Sequence, residues 1–252
     1  MSTLRLVLRQ LRYENTAFWR NPASAFFTFA FPLIFMVIFN VVFSSQSGLS
    51  GKDAAAFYTP GIVCFSLINA CYTTLAMTVT VARDEGILKR IHGTPLPTWA
   101  YLTARMIQSM LITLLLVVIV SVFGLVAYGV SLPLTQLPAL VITLAIGAAS
   151  FCALGLAVSG LIPNAASAPA IVNATILPLY FVSDVFVHLD RGSSLATVGG
   201  FFPIRPLAEA LQSVYSPALF PPLDPMNLLW VAAWGVFGLL VALRTFTWEP
   251  RA

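Results

Sequence analysis

Side chains able to do chemistry are scarce in this chain. Of its 252 residues only 9% are charged, with two histidines and three cysteines. The densest ionisable group is ARDEGILKRIHGTPLP, Ala82 to Pro97, which sets Arg83, Asp84, Glu85, Lys89 and Arg90 within eight residues. A second group, Asp184, His188 and Asp190, would suit acid–base or metal chemistry, but it lacks further ligands and a nucleophile. It reads as a solvated external turn. GLSGKD, residues 48–53, echoes a phosphate loop. Such a loop needs GxxxxGK followed by Ser or Thr, and Gln46 and Asp53 occupy the deciding positions. ATP binding is therefore not expected in this chain. Cys64 and Cys71 lie seven apart in one predicted helix, about 10 Å along its axis, which is too far for a disulfide. With Cys152 they read as packing residues. His92 beside Gly93 suits a helix C-terminus. No catalytic residue, cofactor site or metal site is expected.

The elements that must hold these groups are apolar. The chain is 59% hydrophobic with mean hydropathy +0.90, whereas a soluble domain carries about 25% charged residues. A membrane-crossing helix needs about 20 mostly apolar residues. Six segments meet that test: 25–43, 57–81, 102–130, 137–161, 166–187 and 228–246. The fold class expected is an all-α polytopic membrane protein with six transmembrane helices. No repeat relates the first three spans to the last three, so an inverted-repeat transporter finds no support. The first span follows Arg20 without a clear cleavage site and reads as retained.

Basic residues of short loops set orientation. With a cytoplasmic N-terminus, ten of the thirteen basic residues fall inside and only Lys52, Arg191 and Arg205 outside. Both termini are then cytoplasmic. The +4 net charge reflects topology and not a nucleic-acid partner.

Residues 1–21 carry Leu4, Leu8, Leu11 and Phe18 on one side and Arg5, Arg9 and Arg12 on another. This pattern predicts an amphipathic helix in the inner interface, its arginines toward anionic lipid headgroups. Pro32 and Pro60 fall within spans, which requires neighbours to satisfy the freed carbonyls. In span four Ala145, Ala149, Ala153 and Ala157, with Gly155 and Ser159, predict a close helix contact, within one chain or between two. The neutral polar residues Asn40, Asn69, Thr73, Thr74, Thr78, Asn173 and Thr175 either line a cavity or bond between helices. Between residues 193 and 216, Gly199, Gly200, Pro203 and Pro206 cut an apolar stretch into pieces too short to cross. Two short external helices that dip partly into the membrane, or lie on it, fit this stretch.

The charged island reads as one short cytoplasmic helix over 83–93. Glu85 and Lys89 are spaced i, i+4, Ile87, Leu88 and Ile91 give an apolar stripe, and Gly93 with Pro95 supplies the stop. An ordinary inner loop needs only positive charge. Mixed charge, a small apolar face and defined ends suggest a docking surface for a partner protein.

RDEGILKRIHGTPLPTWAY, Arg83 to Tyr101, and LPLYFVSDVFVHLDRGSSLATVGGFFPIRPLAEALQSVY, Leu177 to Tyr215, resemble segments of ABC-2 family permeases. The likeness is to the daunorubicin-resistance-type, drug-efflux branch of ABC exporters with the type V fold. The plan of an interfacial helix, six spans and short external re-entrant helices is also similar over essentially the whole chain. Ile87 stands where that family often has Thr, and Asp184 where a small Gly is common. The resemblance implies a bacterial cytoplasmic-membrane exporter subunit moving a drug, antibiotic or lipid-like substrate outward. It implies pairing with a second permease subunit and with separate ATP-binding subunits that hold the ATP and Mg. Residues 83–93 would be the coupling helix, with Arg83, Asp84, Glu85, Lys89 and Arg90 at the ATPase contact and Leu88 in its groove. The external helices, with Phe201, Phe202, Leu207 and Leu211, would help close the outer gate. Asn40, Asn69, Thr73 and Asn173 are candidate cavity residues. A polysaccharide or lipid-linked glycan exporter is the alternative within the family. A proton-coupled transporter would need an ionisable carrier in a span, and the span centres offer none.

Overall fold

The structure is a computed structural model that describes residues 3–47, 51–93, 97–183, 185, 194–217 and 219–247. Asp184, His188, Asp190, Arg191 and Arg251 lie outside the described residues. Among those described the chain is all-helical, with no strand. It is a polytopic all-α membrane protein. Five helical stretches are long and apolar enough to cross a membrane: Ala25–Val42, Ala55–Asp84, Trp99–Tyr128, Leu134–Leu161 and Pro225–Thr245.

Helix α1, Thr3–Trp19, precedes α2, Pro22–Ser47. The second span is built from α3, Gly51–Ile68, a π-helical segment Asn69–Thr74 and α4, Leu75–Asp84. The short α5, Ile87–His92, follows. Then come α6, Thr98–Tyr128, and α7, Leu137–Leu161. The remaining helices are α8, Ala168–Phe181, α9, Ser194–Phe201, α10, Ile204–Tyr215, and α11, Pro225–Thr245.

The expected fifth span, 166–187, is shorter than the sequence suggested. Helix α8 has 14 residues, about 21 Å, against a hydrocarbon core of about 30 Å. Asn164 caps the 3₁₀ turn before it by accepting from Ser167 N–H at 2.9 Å. The helix ends at Val182, one turn past its internal Pro178.

Alpha-1 packs against the first half of α6 and not along a plane of its leucines. Val7 meets Ala100 and Ala104 with Leu11 beside them, and Phe18 joins Phe29 around Ile112. Between these contacts Glu14, 6% exposed, pairs with Arg105 at 3.1 Å. Arg105 also donates to the Tyr101 hydroxyl at 3.1 Å. The inward stripe is thus Val7, Leu11, Glu14 and Phe18, of which Val7 and Glu14 are buried and Leu11 and Phe18 half-buried, while Leu8 is exposed. A carboxylate is tolerated in that stripe because a guanidinium and the Gln10 amide, 2.7 Å away, satisfy it. Arg5, Arg9 and Arg12 are exposed.

Small residues decide the main contact, but only half of the expected alanine stripe is buried. Ala145 and Ala149 are exposed, and Ala153 and Ala157 are buried. The close approach lies within the chain, between α7 and α11. A Cβ on Gly235 would stand 2.8 Å from Ser150 Cα, and one on Gly238 2.9 Å from Leu154 N. On another side of α7, a Cβ on Gly155 would stand 2.9 Å from Tyr72 O and 3.0 Å from Cys71 O. The π segment therefore turns its backbone onto α7 at Gly155, where no side chain intervenes. A π segment widens the helix by one residue, and its side chains reach two further helices. Tyr72 shares a hydrogen bond with Thr175 on α8 at 2.7 Å, and Cys71 with Thr113 on α6 at 3.2 Å.

Helix α10 is the most enclosed element. Ile204, Leu207, Ala208, Leu211 and Val214 are fully buried. Leu207 fills the notch left by Gly147, where an added Cβ would lie 2.8 Å from its Cδ1. At its far end Tyr215 bonds Ser121 of α6 at 2.7 Å.

Candidate coupling site at the α4–α5 break

The island expected to be one helix over 83–93 is divided. Helix α4 carries span two as far as Asp84, and Gly86 breaks it with φ of +70°. Glycine adopts that left-handed backbone without the clash a Cβ brings. The chain restarts at once, Arg90 N–H donating to Gly86 O at 3.1 Å. The positive-φ position is Gly86, while Gly93 stays right-handed at φ −74°. Glu85 is therefore outside α5, although it and Lys89 lie near each other in the chain.

The break sends the charges to different places. Arg83, expected at an exposed contact, is 2% exposed. Its Nη1 donates to Ser159 O at 2.9 Å, and its Nη2 makes a short bond to Ile162 O. The reason is local. In an α-helix Ser159 O would accept from the N–H four residues on, but that residue is Pro163, which has none. A buried carbonyl left without a donor is costly, and the guanidinium fork supplies it. Asp84 serves the next element: its Oδ2 accepts from Ala165 N–H at 2.9 Å. The cation thus sits at the C-terminus of α7 and the anion at the start of the turn into α8, the arrangement that peptide dipoles favour.

Leu88 also leaves the expected surface. It is 0% exposed and belongs to the main core with Tyr101, because α5 lies on its own bundle. The exposed apolar side chain of α5 is Ile87, at 37%. Glu85, Lys89 and Arg90 are exposed beside it. The outward face of the break is therefore Glu85, Ile87, Lys89 and Arg90.

The four expected gate residues do not share a surface. Leu207 and Leu211 are buried in the core. Phe201 and Phe202 join Trp230 and Trp234 in an aromatic cluster at the end of α9. Both indoles donate to Phe201 O, at 2.9 Å from Trp230 and 3.0 Å from Trp234. Nearby Arg205 pairs with Glu209 at 2.9 Å, and Asn227 of α11 donates to Glu209 at 3.2 Å.

Of the cavity candidates, Asn40 is buried in α2, while Asn69, Thr73 and Asn173 are half-buried. Asn69 and Thr73 both ride on the π segment. Thr175 proves to be an interhelical partner, of Tyr72.

Three features escaped the sequence reading. Glu14 continues the 4-3-4 spacing of Val7, Leu11 and Phe18, so its place was discoverable. Gly235 and Gly238 of α11 were visible as a small-residue pair. The π segment carries no sequence mark. Among the described residues no three of His, Cys, Asp or Glu come close enough to hold a metal ion.

Among curated proteins none matches the chain. The family model of the ABC-2 type transporter matches residues 5–215, a span that includes all but the first two residues of α1, the divided island, the π segment and α10. With most of the chain matched and an all-helical polytopic membrane fold, this protein belongs to the ABC-2 type transporter family.

Proposed function

We propose that this ABC permease subunit, from a family whose permease domains work with ATP-binding subunits, is the membrane subunit of an ATP-driven exporter of hydrophobic or amphipathic compounds, a drug, an antibiotic or a lipid-like molecule. It sits in a bacterial cytoplasmic membrane with both termini inside and works beside a second permease subunit. A separate ATP-binding subunit holds the ATP and Mg.

The observation that carries this reading is the α4–α5 break. Leu88 anchors α5 in the core, and Gly86 lets Glu85, Ile87, Lys89 and Arg90 face outward. An apolar side chain ringed by both signs of charge is suited to a protein groove more than to lipid headgroups, which select for cations alone. The polar groups at membrane depth support an amphipathic cargo. Asn69, Thr73 and Asn173 are half-exposed and Thr78 is exposed, and all four are neutral. Neutral hydrogen-bonding groups offer a polar head some contacts without holding it as an ion pair would.

The test is reconstitution with a candidate ATP-binding subunit encoded beside this chain. Glu85→Arg combined with Ile87→Asp is expected to abolish substrate-stimulated ATP hydrolysis while the chain still inserts and dimerises. Stimulation equal to wild type in that double variant would overturn the reading.

A further inference from the structure

Gly86 raises a mechanical difficulty for any coupling through α5. Only Glu85 and the left-handed Gly86 join α4 to α5, so force on α5 enters span two through a two-residue joint. Immediately on the span side of that joint lie Arg83 and Asp84. Together they make three hydrogen bonds to backbone groups of the α7–α8 turn, to Ser159 O, Ile162 O and Ala165 N. These bonds involve a charged partner, which roughly doubles the strength of a neutral one. They also join two helices at once, one residue grasping the end of α7 and the next the start of the turn into α8.

We propose that Arg83 and Asp84 are positioning residues that make the end of α4 and the α7–α8 turn one rigid body. Force received by α5 then passes to α7 and α8 and not only along span two. The proposal deepens the exporter reading above and rests on it for its transport consequences. Pro163 is part of the device. By withholding the N–H that Ser159 O would otherwise accept, it keeps that carbonyl available for Arg83. Helix α8 is the element such a force would move most directly, because Tyr72 of the π segment holds Thr175 of α8 further along. The two attachments bracket Asn173.

The experiment places nitroxide labels at Val81→Cys and Ala166→Cys, both exposed positions. The buried Cys64, Cys71 and Cys152 are replaced by alanine in the same chain. In the complex with its ATP-binding subunit, the label separation is expected to be one narrow distribution, equal with and without ATP. Asp84→Ala and Pro163→Ala should broaden it and lower transport per ATP hydrolysed by about tenfold, the scale of losing a charged hydrogen bond. Asp84→Asn keeps an acceptor oxygen and should stay close to wild type in both readouts. Pro163→Ala adds a helix former and a backbone donor, so it tests the Arg83 arm without altering Arg83 itself.

A narrow distribution in both Asp84→Ala and Pro163→Ala overturns the proposal. So does a broadened one with transport per ATP unchanged. If the wild-type complex hydrolyses no ATP, the exporter reading fails, while the label distances in the nucleotide-free chain still judge the rigid body.

Discussion

Two prolines leave two carbonyls without their helical donors, one at each end of the bundle, and the chain treats them differently. Pro163 frees Ser159 O, which receives a guanidinium from 76 residues away. Pro60 frees Ala56 O, which receives the Ser216 hydroxyl at 2.8 Å. Ser216 follows α10, an element held mainly by Leu207, Leu211 and their apolar neighbours. Where the surroundings are well packed, one neutral hydroxyl is enough to satisfy the backbone. Where two helices end together with a turn between them, a charged fork and a carboxylate hold three groups at once. The first end is therefore fixed by directional bonds and the second by shape. The first suits transmitting a movement, since a few bonds define its geometry. At the second, the indoles of Trp230 and Trp234 add a polar tie to an exposed aromatic cluster.

Substitutions should separate these two kinds of stabilisation. The largest effect is expected at the packed end. Leu207→Ala empties the notch beside Gly147 and should cost about 2–5 kcal/mol, read as a fall in thermal unfolding temperature in detergent. Arg83→Met keeps the volume but leaves Ser159 O and Ile162 O without a charged donor. It should cost about 1–3 kcal/mol in the same assay and should lower transport more than Leu207→Ala does at equal stability. If both variants track stability alone, the contrast between the ends is lost. Trp234→Phe keeps an aromatic, though smaller, ring and removes one of two donors to Phe201 O, so about 0.5–1.5 kcal/mol is expected. Trp230→Phe with Trp234→Phe should exceed either single change, because the carbonyl then has no indole donor. The smallest effect on stability belongs to Arg9→Gln in α1, within about 0.5 kcal/mol. Its expected signature is weaker contact of α1 with anionic headgroups, about 1 kcal/mol per charge near the surface, measured in reconstituted vesicles as quenching of a fluorophore on α1 by headgroup-labelled anionic lipid.

Much of the architecture was legible. Uninterrupted apolar length marked the helices, and prolines and glycines cut residues 193–216 into short pieces. The island at Arg83–Arg90 was legible as a feature but not as a shape. Its charges suggested one helix, and the pattern ILKRIH fitted that reading. Nothing local showed that Asp84 still belonged to span two, or that Gly86 rather than Gly93 would adopt positive φ. Leu88 and Ile87 are adjacent apolar residues, and only the direction in which α5 packs on the core decides that Leu88 is buried and Ile87 exposed. For the same reason the alanine stripe of α7 was half right. Helical spacing identifies a face, but the neighbour chooses among faces, and α11 chose the one carrying Ser150 and Leu154.

The sequence by itself determined the class of molecule. Hydropathy and segment length depend on each residue's own transfer free energy, which does not require knowing its neighbours. It also determined that Ser159 O and Ala56 O would lack their helical donors, because that follows from a proline four residues on. Tertiary structure decided which groups replace those donors. Arg83 and Ser216 lie 76 and 160 residues from the carbonyls they serve. A hydrogen bond is settled over about 3 Å of space, and no periodicity in the chain measures that distance.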